Sequence, residues 1–196
     1  MRYDEAHKGE TRRRVVKAAA GAVRARGPDR VGVAEVMAEA GLTHGGFYAH
    51  FPSKDALLGA AVGEAFEQSR RALGRIGQGA ANAERLGALV DNYVSAQHRD
   101  FPAHGCPIAL LASDIPRQAE PARRAFDAGV RTLIAQLTEW LEIGPPETRE
   151  ALAGSLVAEM SGAVALSRAV SDPALSDRLL AESRLRLKQR MGVGGA

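Results

Sequence analysis

The chain has 196 residues, 45% of them hydrophobic and 25% charged, with a formal net charge of +3. That hydrophobic share excludes a largely disordered chain, and the length suits one small and one medium helical unit. Its single cysteine, Cys106, excludes an intrachain disulfide and any metal site built on a cysteine cluster.

The opening MRYDE has no apolar run and does not read as a signal peptide. Residues 1–9 are polar and are expected to be loose. A helix is predicted over 10–26, with Val15, Val16, Ala19, Ala20 and Val23 facing inward, stopped by Gly27 and Pro28. The next helix, over 33–40, places Val33, Val36, Met37 and Ala40 on one face at the spacing of a buried stripe. Gly41 follows in the position where a left-handed residue ends a helix. Leu42 is expected to plug the angle after it, and Thr43 to cap a short helix over 43–50. Helix, glycine turn and helix make a helix-turn-helix, whose second helix enters the DNA major groove.

Beyond Phe47, Tyr48 and Phe51, Ser53 is the expected cap of a helix over 53–73, with Leu57, Leu58, Ala61, Ala65 and Phe66 on its apolar side. A glycine-rich turn over 74–81 leads to a helix over 82–99, with Leu86, Leu89, Val90, Tyr93 and Val94 inward. Two prolines and a glycine mark 101–107 as a loop. Helices follow over 108–113, 121–142, 147–170 and 173–189, and Gly144, Pro145 and Pro146 separate the second and third of these. The apolar face of 121–142 carries Phe126, Val130, Leu133, Ile134, Leu137, Trp140 and Leu141. The apolar stretch 151–170 contains Glu159 and Arg168, so it reads as a buried or interface helix rather than a membrane span. With no alternating strand pattern and no internal repeat, the fold class is all-α with about nine helices. A cytoplasmic protein is expected.

Residues 1–54 hold ten Lys and Arg against six Asp and Glu, so the basic excess sits around the helix-turn-helix. A basic unit on a near-neutral body suggests a polyanionic partner, and a merely solvated basic face is the plainer alternative.

AEAGLT at 38–43, FYAHF at 47–51 and SKDALL at 53–58 resemble the tetracycline-repressor-like (TetR/AcrR) family of bacterial transcription regulators. The resemblance covers roughly residues 10–58. It implies an N-terminal three-helix helix-turn-helix DNA-binding domain, 1–52, and a C-terminal helical ligand-binding and dimerisation domain, 53–196. The implied partners are a double-stranded DNA operator, a small-molecule effector and a second copy of the chain. A membrane, a cofactor and a catalytic or metal site are not expected.

The expected DNA-contact residues are Arg30, Thr43, His44, Gly45, Gly46, Tyr48, His50 and Lys54. Thr43 can cap the reading helix and also meet a phosphate, to which helix N-termini are suited. Gly45 and Gly46 each cost about 1 kcal/mol in a helix relative to Ala. Close backbone approach to DNA is one reason to retain them; a frayed helix or tight packing on the preceding helix is the other. The Tyr48 hydroxyl resembles the family's phosphate-contacting tyrosine, whereas Phe47 and Phe51 suit the core. His44 and His50 are the polar side chains best able to reach bases or phosphates. Lys54 opens a helix, where a cation gains nothing from the dipole, so a nearby phosphate explains it better. The chain departs from the family at Val31-Gly32, where Ser or Thr is usual. Gly32 can cap but offers no side-chain donor, and Arg30 is expected to take over that phosphate contact. Few side chains remain for base readout, so specificity is expected to lean on DNA shape and paired half-sites.

Small residues at Ala151, Gly154, Ser155, Ala158, Gly162 and Ala165 let helices approach closely, which suits a dimer bundle or an intrachain contact. Candidate pocket residues are Phe66, Tyr93, His98, Cys106, Phe126, Trp140 and Met160, each of which could equally be plain core. A redox role for Cys106 would need a nearby cation, and no Lys or Arg flanks it closely in sequence. An enzyme is the second class of reading, from His98, Asp100, His104, Cys106 and Asp114, but these lack metal-ligand spacing and a nucleophile motif. A ligand-free architectural helical protein is the third.

Overall fold

The computed structural model describes residues 2–193. Met1 of the expected loose start and the last three residues of the expected second domain lie outside them. Among the described residues there are nine α-helices, four short 3-10 turns and no strand. The helices are α1 (Arg2–Arg26), α2 (Val33–Glu39), α3 (Lys54–Leu73), α4 (Asn82–Tyr93), α5 (Ala96–Asp100), α6 (Pro107–Leu111), α7 (Glu120–Trp140), α8 (Pro146–Ala169) and α9 (Pro173–Met191).

Three elements differ from expectation, each for a local reason. Helix α1 begins at Arg2, not near residue 10. The sequence has no proline before Gly27 and only Gly9 as a glycine within the first ten residues, so no strong helix breaker stands there. The reading segment is a 3-10 turn, His44–Ala49, rather than an α-helix. Two successive glycines weaken α-helix here, and Gly46 N–H donates to Thr43 O at 3.2 Å in the tighter pattern. The expected 82–99 helix breaks at Val94 and Ser95. Ser95 Oγ donates to Asn92 O at 2.7 Å and accepts from His98 N–H at 3.1 Å, so it competes with the helical ladder and caps α5.

The helix-turn-helix corner closes as the sequence indicates. Gly41 has φ +71°. Leu42 N–H donates to Met37 O and Gly41 N–H to Ala38 O, both at 2.9 Å, which is the paired bonding of a Schellman ending. Leu42 packs half-buried on the core behind it. At the start of α3, Ala56 N–H donates to Ser53 Oγ at 3.1 Å, the expected cap.

Helix α3 packs on α1 on one side and on α7 on the other; α7 then packs on α8, and α8 on α9. The predicted inward residues of α1, α3 and α4 are buried. On α7, Phe126, Val130, Leu133 and Ile134 are only half-buried against the core, and of these Leu133 lines a cavity. The α3–α7 contact is unusually close. A Cβ at Gly59 would lie 2.8 Å from Pro121 Cβ and 2.9 Å from its carbonyl carbon, and one at Gly129 would overlap the Phe66 ring. Gly59→Ala is therefore expected to destabilise the protein by about 1–3 kcal/mol, because the backbone of Pro121 cannot swing aside. A urea midpoint equal to wild type would contradict this packing.

Candidate DNA-reading surface and internal cavity

The reading turn is built on an aromatic anchor. Phe47 and Phe51 are buried with ring centroids 5.7 Å apart, and Arg12 of α1 lies over the Phe51 ring at 4.9 Å. With its neighbours anchored, Tyr48 turns outward and is 75% exposed. Thr43, His44, Gly45 and Lys54 are exposed beside it, as is Arg30 one element away, while Gly46 and His50 are half-buried. The ring Nδ1 of His50 is buried without a hydrogen-bond partner. Thr43 occupies the capping position but makes no side-chain capping bond. A Cβ at Gly45 would meet nothing within 4 Å, and one at Gly46 would meet only Met37 Cε at 3.7 Å. Tight internal packing therefore does not require either glycine. Gly32 caps α2 with no side chain, as expected.

The second feature is a cavity of about 460 Å³ among α3, α4, α5, the 101–106 loop and α7. Phe66, Ala72, Leu73, Leu89, Ala128 and Leu133 give it a mainly apolar wall. Its charged lining residues are Glu67 and Arg70, and these pair with each other at 2.8 Å. Chiefly the hydrogen bond from Arg70, and also one from Arg71, holds the Glu67 carboxyl at about 2. The cavity wall therefore presents no unpaired charge.

His98 closes one end. It stacks edge-on against Tyr93 with centroids 4.6 Å apart. Its Nδ1 lies 2.7 Å from Tyr93 O, and its Nε2 lies 2.8 Å from Cys106 N. A carbonyl oxygen can only accept and an amide N–H only donate, so the ring is neutral with its proton on Nδ1. Burial lowers the His98 pKa, and the Arg168 charge lowers it further. Burial raises both the Tyr93 hydroxyl and the Cys106 thiol, so both stay protonated. The Tyr93 hydroxyl faces Cys106 and Ser161 but makes no well-formed hydrogen bond.

Residues 15–61 match the family described as "Bacterial regulatory proteins, tetR family", and residues 82–182 match "Tetracyclin repressor-like, C-terminal domain". The chain belongs to the TetR family of transcriptional regulators. No curated protein is significantly similar in sequence. Solved structures with the same architecture include the reduced form of NemR from E. coli, at 23% identity, with 92% of this chain and 96% of that one covered and a TM-score of 0.77. A TetR regulator from Chloroflexus aurantiacus J-10-FL is 26% identical over 96% and 98% of the two chains, with a TM-score of 0.75. One from Streptomyces coelicolor is 25% identical over 93% and 90%, with a TM-score of 0.72. The family match assigns the chain to transcription regulators rather than enzymes. No helix among the described residues is long and apolar enough to cross a membrane.

Among the expected pocket residues of this TetR-family chain, Phe66, Tyr93, His98 and Cys106 line the cavity. Phe126 does not; it packs edge-on against Phe66, with centroids 5.4 Å apart. Trp140 is buried under Arg85, whose guanidinium carbon sits 4.0 Å from the ring centroid, and Met160 lies in the core of α8. Sequence reasoning missed the α7 face of the cavity, Ala128, Gly129, Thr132 and Gln136. A glycine in mid-helix at 129 is the signal that pointed there. It also missed a cation near Cys106, because Arg24 is distant in sequence.

Because folded His98 resists protonation, its contribution to stability is complete above about pH 6.5, the unfolded value for histidine. It is lost as pH falls below that, since the unfolded chain takes up a proton that the folded chain refuses. Urea midpoints measured from pH 7.5 down to 5 are expected to fall less steeply for His98→Gln than for wild type. Parallel profiles would show that His98 is not held neutral.

Proposed function

We propose that this chain is a homodimeric repressor that binds a pseudo-palindromic operator and is released by a small, neutral, largely apolar effector, acting in the cytoplasm. The observation that carries the DNA-binding half is the outward Tyr48, held beside exposed Lys54 and His44 by two buried phenylalanines. In this reading residues 1–52 contact DNA. Arg30, Thr43, Tyr48 and Lys54 meet phosphates, and His44 and His50 face base edges or backbone. The open space around Gly45 and Gly46 lets the chain approach the groove closely.

Residues 53–196 hold the effector and the dimer contact. The outer face of α8 carries exposed Ala151, Ser155, Ala158 and Ala165, and a Cβ at Gly162 would meet nothing within 4 Å. Leu166 on α8 and Leu185 on α9 are exposed large apolar side chains. A smooth apolar face of this kind favours a two-helix-per-subunit bundle with a second copy. Gly154 and Gly162 are half-buried, and a Cβ at Gly154 would lie 4.0 Å from Ile134 Cδ1.

An apolar wall with its one charged pair self-neutralised favours a neutral ligand held by a few polar groups. Release follows by population shift, the effector preferring a conformation in which α3 moves and the reading turns no longer match successive major grooves. A coupling of about 3 kcal/mol changes operator affinity roughly a hundredfold.

Fluorescence anisotropy with duplexes from upstream of the chain's own gene tests the reading. Affinity is expected to fall steeply with salt and to exceed that for scrambled DNA. Tyr48→Phe and Lys54→Ala should weaken binding on all sequences, and Lys54→Ala should lower the salt slope by about one. Equal affinity for scrambled DNA, or variants that melt early yet bind normally when folded, would contradict the assignment.

A further inference from the structure

Arg24, in the last turn of α1, carries its charge into the interior and is 4% exposed. Its guanidinium joins three elements. Nε donates to Ala20 O within α1 at 3.0 Å, Nη2 to Gln68 Oε1 of α3 at 2.5 Å, and Nη1 to Gly105 O at 3.3 Å. Gln68 is itself fixed, donating to Glu64 Oε1 at 2.9 Å.

The Gly105 carbonyl and the Cys106 N–H are two ends of one peptide group. That group is planar and turns as a unit. Arg24 of the DNA-binding half holds its oxygen, and the cavity residue His98 holds its N–H at 2.8 Å. Hydrogen bonds in such a chain polarise and strengthen one another. Only glycine permits this approach, since a Cβ at Gly105 would lie 2.8 Å from His98 Cδ2 and Nε2. Any displacement of the His98 ring therefore tilts the peptide and draws its oxygen off Arg24. A buried guanidinium that loses an acceptor is costly, so α1 must adjust to recover one.

We propose that Arg24 is a positioning residue that couples the cavity to the DNA-binding half through the Gly105–Cys106 peptide and His98. This route reaches α1 directly, in addition to the shared helix α3, and it rests on the regulator reading above.

By linkage, operator DNA must then alter the cavity wall, so the coupling can be read without any effector. Cys106 is the chain's single cysteine and lies on that wall, so its alkylation rate reports opening of the loop. The experiment measures iodoacetamide modification of the full-length protein by mass spectrometry, with saturating operator duplex, with scrambled duplex and with none. Operator is expected to slow the wild-type reaction about fivefold or more, and scrambled duplex to leave it unchanged. Arg24→Lys keeps the charge but, as a single compact ammonium, cannot hold Gln68 and Gly105 together. It is expected to remove the operator effect while circular dichroism shows an intact fold. His98→Phe breaks the clamp from the cavity side and should do the same, so it decides the matter if Arg24→Lys fails to fold. A wild-type rate unchanged by bound operator, or a full operator effect in a folded variant, would overturn the coupling alone. Failure of the same samples to form an operator complex would overturn the regulator reading and the coupling with it.

Discussion

Helix α3 has to bury two faces at once, and the rest of the structure depends on that constraint. One face closes the core of the N-terminal unit against α1, and the other lies on α7. Ordinary side chains at both contacts would hold the helices farther apart. Gly59 removes the obstruction at Pro121, and Gly129 opens the seat for Phe66. The cavity begins where this close contact ends, between Phe66 and the turn that separates α4 from α5. Close-packed interiors move between discrete arrangements rather than stretching, and α3 is shared by both contacts.

The two functional regions are built on opposite principles. At the reading turn a buried aromatic pair fixes the backbone, and polar and cationic groups are left free toward solvent. In the cavity the charged pair and the imidazole are already committed. Glu67 is held by Arg70 and Arg71, and His98 is held by two backbone groups. The first arrangement suits a polyanion that brings its own acceptors. The second suits a neutral guest that need not break existing bonds. The peptide between Gly105 and Cys106 is where they meet, because it hydrogen-bonds to α1 on one side and to the cavity wall on the other.

Much of this was legible in the sequence, because it is written in local chemistry. The 33–54 stretch announces its turn through Gly41, its cap through Ser53 and its anchor through the spacing of Phe47 and Phe51. Periodicity placed the inward faces of α1, α3 and α4. What stayed illegible depends on partners far apart in the chain. Arg24 looks like any helix-end cation until Gly105 and Gln68 are brought to it. Trp140 and Met160 look like pocket residues until Arg85 covers one and α8 packs the other into the core. Periodicity predicts that a residue is inward, not whether a core or a cavity lies there. The break at Val94 and Ser95 falls between these cases. Its serine was visible, but the helical pattern runs through it, and only the caps that Ser95 makes show the backbone turning.

The central claim is that two copies of this chain read DNA together through the 43–54 surface. Hydroxyl-radical footprinting of an operator fragment tests it most directly. The account predicts two symmetric protected patches on one face of the duplex, separated by about 34–36 Å or a multiple of it, as paired reading elements require. A single unpaired patch, or even protection along the fragment, would contradict it.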